Sequence, residues 1–236
     1  MKAQPTILAF DTSAAHCAAA LLWGDGQIAA RQEDMSRGQG ERLMGLLEEV
    51  LQQEGFAWSD LDAIAVGVGP GNFTGIRIAV SAARGLALGL GIPVISVSNF
   101  EIMRGPNSVT DLHGQLVSLP APRGTNYIQV FDGGKAARAP QHIAVGSETE
   151  PALDLRGVTD VIGEHAADIS MLNARTAQSS AIPAMEREIH EVPGTMVRIA
   201  TDKWLAGQVD GTRPAPLYVR PADAAPPRDK PPVILP

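Results

Sequence analysis

Gly67-Val68-Gly69-Pro70-Gly71-Asn72-Phe73-Thr74-Gly75-Ile76-Arg77 is the stretch from which the fold of this chain can be read. It follows an apolar strand-like segment, Leu61 to Val68, and opens an almost wholly apolar helical segment ending near Gly91. A strand that runs through glycines into a helix start sets backbone N–H groups where they can meet an anion. Pro70 fixes one φ, while Gly69, Gly71 and Gly75 permit turns or close approaches that a Cβ would obstruct. No Lys-Ser or Lys-Thr follows, so this is not a Walker loop, and Asn72 stands where a dinucleotide fingerprint has its third glycine. The same glycines equally suit a tight strand-to-helix connection that binds nothing.

Upstream, Thr6 to Phe10 reads as a strand closed by the polar turn Asp11-Thr12-Ser13. Ala18 to Trp23 and Gln27 to Arg31 flank Gly24-Asp25-Gly26, a hairpin signal. Glu41 to Glu54 carries Leu43, Leu46, Leu47, Val50 and Leu51, the stripe of an amphipathic helix, with Gly55 as its stop. A strand Ala63 to Val68 then enters the glycine loop. The helix Gly75 to Leu90 is apolar nearly all round, interrupted mainly by Arg77, Ser81 and Arg84, so it needs cover on more than one side. That cover is either the core of its own chain or a second subunit. Ile92 to Val97 is the next buried strand.

Beyond Asn99 the signals thin. Leu116 to Leu119 and Tyr127 to Phe131 read as paired strands, Val158 to Ile162 as another, and Met196 to Ala206 as a helix. Thr212 to Pro236 is dense in proline and reads as an extended tail.

The chain has 236 residues, enough for one or two domains with a sizeable core. A net charge of −7 argues against this chain alone holding a nucleic-acid backbone. The single cysteine, Cys17, forbids an intramolecular disulfide and fits a reducing compartment. No signal core is evident and no apolar run reads as long enough to span a membrane, so the cytoplasm is the expected compartment. The five histidines, His16, His113, His142, His165 and His190, show no i, i+4 metal spacing, and Cys17 has no cysteine partner. Asp11, beside two hydroxyls at a strand end, can orient a hydrated magnesium ion or a phosphate, or simply close an Asx turn.

Ile7-Leu8-Ala9-Phe10-Asp11-Thr12-Ser13, the Gly67 to Arg77 loop, Gly85-Leu86-Ala87-Leu88-Gly89 and Pro216-Leu217-Tyr218-Val219-Arg220 together resemble the bacterial TsaB (YeaZ) family. That family is the non-catalytic dimerisation subunit of the machinery that makes threonylcarbamoyladenosine at position 37 of tRNA. The resemblance implies an α/β, two-lobed actin/Hsp70-like (ASKHA, ribonuclease H-like) fold with mixed sheets and flanking helices. The lobes would be 1–100 and a divergent 101–193, with 194–211 a helix packing back on the first lobe and 212–236 the tail. It implies TsaD and TsaE as partners, a homodimer when TsaD is absent, tRNA contact only through the complex, and no membrane. Leu43, Leu47, Val50, Ile76, Arg77, Val80, Ala83 and Arg84 would form the partner interface. ATP or ADP would reach the interface with TsaD, lined here by Asp11, Thr12, Gly69, Gly71, Thr74 and Gly75. No catalytic residue, resident cofactor or metal ligand is expected, and the glycoprotease name given to some relatives has no chemistry behind it here. A stand-alone ASKHA phosphotransferase or hydrolase is the alternative reading. Gln39 and Pro120 depart from the family pattern, where His and Asp are usual.

Overall fold

The computed structural model describes residues 4–145, 153–177, 181–189 and 191–220, with side chains left aside at 173–177. The tail expected from Thr212 onward therefore lies outside the described residues after 220.

The first sheet is built from β1 (Ile7–Asp11), β2 (His16–Trp23), β3 (Gln27–Asp34), β4 (Ala63–Gly67) and β5 (Val94–Val97). Its order is β3-β2-β1-β4-β5, antiparallel through β3, β2 and β1 and parallel from β1 to β4 and β5. β1 and β4 read as unbroken apolar runs because both of their faces are buried. On one face Leu8, Phe10, Leu21, Ile64 and Val66 meet α1 (Gln39–Gln53) and α2 (Phe73–Leu90). On the other, Ile7, Ala9, Ala20, Ala63 and Val97 meet α5 (Val192–Leu205). This three-layer arrangement and strand order are those of the ribonuclease H-like sheet that the resemblance implies.

The second sheet has the order β11-β10-β6-β7-β8, from β6 (Gln115–Ala121), β7 (Thr125–Asp132), β8 (Lys135–Ala136), β10 (Asp160–Gly163) and β11 (Ala184–Met185), with β9 (Gln141–Ile143) also on β7. α4 (Ala166–Ala177) covers one face through Ala166 and Ile169. α3 (Asn99–Arg104) covers the other and joins the lobes, since Phe100 and Met103 pack on the second sheet while Ile102 packs in the α5 core. Pro120 pairs with Asn126 at a point where β6 has passed its last β10 partner, Ser118, so its missing N–H costs no bond on that side.

α2 begins two residues earlier than the sequence pattern placed it, because Asn72 caps it, accepting from the Gly75 amide at 2.9 Å. It ends at Gly91, which holds φ +70°. By length and composition α2 is apolar enough to cross a membrane, which corrects the sequence reading that found no such run. In this fold its inner stripe, Ile76, Ala79, Val80 and Ala83, packs against the first sheet. Gln39, the other departure, opens α1 with its side-chain amide donating to the Met35 carbonyl at 3.0 Å.

Two glycines of α2 sit in opposite surroundings, and they yield a paired prediction. A Cβ at Gly75 would lie 1.8 Å from the Thr12 carbonyl oxygen, whereas nothing lies within 4 Å of one at Gly85. Gly75→Ala is expected to lower stability by about 1–3 kcal/mol. Gly85→Ala is expected to raise it by up to about 1 kcal/mol, by restricting the unfolded chain. Midpoints of urea unfolding for the two variants check this.

Candidate functional site

The end of β1 is a hub of buried polar contacts. Asp11 is fully buried, and its Oδ1 accepts from the Ser13 amide and hydroxyl, both at 2.9 Å, and from His16 Nε2 at 2.8 Å. Its Oδ2 has no partner among the described residues and points at Gly67, where a Cβ would lie only 1.7 Å away. Ser13 passes the connection on. Its carbonyl accepts from the Asn72 amide at 2.6 Å, and its hydroxyl accepts from Asn99 Nδ2 at 3.0 Å. Asn99 also donates to the carbonyls of Pro70, through its side chain, and Gly69, through its amide, both at 2.8 Å. One aspartate thus fixes the turn after β1, the glycine loop, the cap of α2 and the start of α3.

The glycines serve this packing. Added Cβ atoms at Gly71 and Gly75 would meet the Ser13 and Thr12 carbonyl oxygens at 2.2 and 1.8 Å. Gly69, at φ +88°, turns the chain into a cis Gly69–Pro70 peptide. Thr12 is fully buried and its hydroxyl donates to the Gly75 carbonyl at 2.6 Å. Asp11, Thr12, Gly69, Gly71, Thr74 and Gly75 do come together, as their sequence positions suggested. They do not fit a phosphate cradle, however: acceptor oxygens fill the approaches that the glycines leave, and these repel an anion. Only Gly71 and Thr74 of the six are exposed. His16 and Asn99 complete the hub and escaped the sequence reading, since neither lies in a recognisable motif.

The interface residues expected from the resemblance divide sharply. Leu43, Leu47, Val50, Ile76, Val80 and Ala83 are all at most 3% exposed, packed in the core of their own chain. They cannot meet a partner, which corrects the choice of face: their helical stripe is the one that covers the sheet. Arg77 and Arg84 are exposed. The outward side of α2 carries Thr74, Ser81, Gly85 and Leu88, and Leu88 is 86% exposed. On α1, Met44 is 40% exposed, and Gly40 lies against Ile78 of α2.

A strap, residues 214–219, runs along α2 beside Arg77 and Arg84. The Leu217 amide donates to the Val68 carbonyl at 2.8 Å. Tyr218 stacks on Phe73 with centroids 4.9 Å apart, and its hydroxyl accepts from Arg77 Nε at 2.8 Å. Arg77 also lies 3.9 Å over the Phe73 ring, and Arg84 Nε donates to the Pro214 carbonyl at 2.8 Å.

Other charges are structural. Arg42 joins Glu33 and Glu49 across β3 and α1, and its hydrogen bonds hold both carboxyls below their usual range. Burial, aided by Glu33, pushes the Cys17 thiol up to about 11, so it stays protonated and inert near neutral pH. Among the described residues, no group of three or more His, Cys, Asp or Glu could hold a metal ion.

Comparisons with known proteins agree with this architecture. Residues 30–129 match the family described as TsaD, tRNA N6-adenosine threonylcarbamoyltransferase. The tRNA threonylcarbamoyladenosine biosynthesis protein TsaB of Escherichia coli K12 is 41% identical over 97 residues, and that of Bacillus subtilis 168 is 39% identical over 98. These matches cover 41% and 42% of this chain, and the chain spans only 42% and 43% of those proteins. A solved Pseudomonas aeruginosa protein, described as uncharacterized with similarity to peptidase YEAZ, superposes with a TM-score of 0.65 at 25% identity. That superposition covers 92% of this chain and all of the other. The opening turn, the glycine loop, the two-lobed ASKHA topology and these likenesses converge: this chain is similar to the TsaB (YeaZ) proteins, in sequence over its first lobe and in fold over most of its length.

Proposed function

We propose that this chain works in threonylcarbamoyladenosine biosynthesis as a non-catalytic scaffold that pairs with TsaD to modify adenosine 37 of tRNA. The outward face of α2 carries the reading. An 18-residue helix without a single acidic residue leaves Leu88, Ser81, Gly85 and Thr74 uncovered by its own chain. An exposed leucine set among small residues, on a helix that its own chain covers along one stripe, is the place where this reading seats another protein. The names of the similar E. coli and B. subtilis proteins supply the pathway, and the description of the family matched by residues 30–129 supplies the partner. In this reading TsaE joins the assembly, tRNA is met through the complex, and two copies of this chain pair through the same face when TsaD is absent. Such an assembly works where tRNA is modified, in the cytoplasm.

The hub at Asp11 supports a structural rather than catalytic role. Its Oδ1 is saturated, its Oδ2 faces Gly67 in a packed interior, and the adjoining glycines are closed by carbonyl oxygens. No nucleotide step is therefore assigned to this turn.

Leu88→Glu places a carboxylate on exposed surface, so thermal unfolding should be unchanged while binding to the same organism's TsaD, followed by calorimetry, falls at least about tenfold. Ala83→Glu buries a charge in the core and should unfold the chain outright. Unchanged TsaD binding by folded Leu88→Glu would refute this docking face.

Asp11→Asn tests the rival reading as an independent phosphotransferase. The scaffold account expects no ATP turnover from the purified chain, wild type or variant. It also expects a stability loss of about 1–3 kcal/mol, because the amide cannot satisfy three donors as the carboxylate does. ATP turnover by the wild-type chain alone, abolished in a stable Asp11→Asn variant, would establish the rival.

A further inference from the structure

The strap and α2 together present a feature that pairing alone does not require. Arg77 and Arg84 are seven residues apart, so about two turns and roughly 10 Å separate them along one side of the helix. Each spends only its Nε on the strap, Arg77 on the Tyr218 hydroxyl and Arg84 on the Pro214 carbonyl. An arginine has five N–H donors, so among the described residues four on each side chain, those of the terminal nitrogens, remain for another molecule. Among the described residues neither arginine has a carboxylate partner. Both are exposed, on a chain whose net charge is −7 and on a helix with no acid of its own.

Holding a guanidinium by Nε leaves its outer edge free to take a carboxylate in a two-pronged hydrogen bond. The Phe73–Tyr218 stack and the cation–π contact of Arg77 further restrict its rotamers, so less freedom is lost on docking. We propose that Arg77 and Arg84 form a paired carboxylate clamp, pre-set by the 214–218 strap, for two acidic side chains on an apolar protein surface. Leu88 on the same flank of α2 favours a protein occupant over a phosphate backbone, as does the chain's acidic balance. This rests on the pairing reading above and adds the partner's chemistry: carboxylates about 10 Å apart beside apolar residues, with the strap as part of the docking surface.

The test uses the full chain and the same organism's tRNA N6-adenosine threonylcarbamoyltransferase, titrated calorimetrically over a salt series. Wild-type affinity should fall as salt rises. Arg77→Gln with Arg84→Gln should weaken association about tenfold or more and flatten the salt dependence, with thermal unfolding unchanged. Tyr218→Phe keeps the ring stack and loses only the hydroxyl that holds Arg77. It should weaken association by a smaller factor in the wild-type background and by none in Arg77→Gln, a coupling that a merely structural tyrosine would not show. A double variant that binds as wild type does, with the same salt slope, overturns the clamp while leaving the pairing standing. Failure of the wild-type chain to bind at all overturns the pairing and the clamp together. Binding of tRNA by the isolated chain, lost in the double arginine variant, would reassign the clamp to phosphate and overturn the proposal for carboxylates.

Discussion

The close approach of two backbone segments, the turn after β1 and the loop before α2, is the constraint on which the rest of the structure depends. Carbonyl oxygens of Thr12 and Ser13 occupy the space where Gly75 and Gly71 would carry side chains. That contact sets where α2 begins, and the hydrogen bond from the Asn72 amide to the Ser13 carbonyl fixes its first turn. Asp11 holds the other side by binding Ser13 twice, at the cost of one buried oxygen without a partner. A buried polar atom left unpaired costs on the order of 1–3 kcal/mol, which the three bonds at Oδ1 offset. The position of α2, and hence of its outward face, follows from this seam.

α2 resolves a conflict visible in its composition. A helix apolar on all sides must be covered on all sides, yet the sheet and α1 cover only one stripe of it. The strap covers part of a second flank, and through Leu217 it touches both the first core and the core of the second lobe. The remaining surface carries small residues and Leu88, edged by two arginines whose outer donors have no partner among the described residues. Ile76, Val80 and Ala83 of this helix build the fold, while Leu88, Arg77 and Arg84 face outward, which is where the proposed association would fall.

Much of the first lobe was legible because its elements are regular. The Leu43, Leu46, Leu47, Val50 stripe marks α1, the Asp25-Gly26 turn marks the hairpin, and unbroken apolar runs mark β1 and β4. What remained illegible has physical causes. Glycine spacing alone does not say whether the space beside it holds a phosphate or another stretch of backbone, and here it holds backbone. Periodicity identifies a helix's apolar stripe but not whether that stripe faces the core or a partner, so six core residues read as interface. α3 and α4 are short or weakly patterned, and α3 owes its start to a capping box at Ser98 and Glu101 rather than to a long apolar stripe. The pairing of Arg77 with Tyr218 spans 141 residues, a separation over which no local pattern informs.

The central claim is that a partner subunit covers the outward face of α2. Cys17 is buried and its thiol is pushed up to about 11, so Leu88→Cys would give the chain a single reactive thiol on that face, near the end of α2. The rate of alkylation at position 88, followed by mass spectrometry with and without saturating transferase, reads its coverage directly. The account predicts rapid modification of the free chain and strong protection in the complex. A complex that forms while position 88 alkylates at the free rate would contradict it.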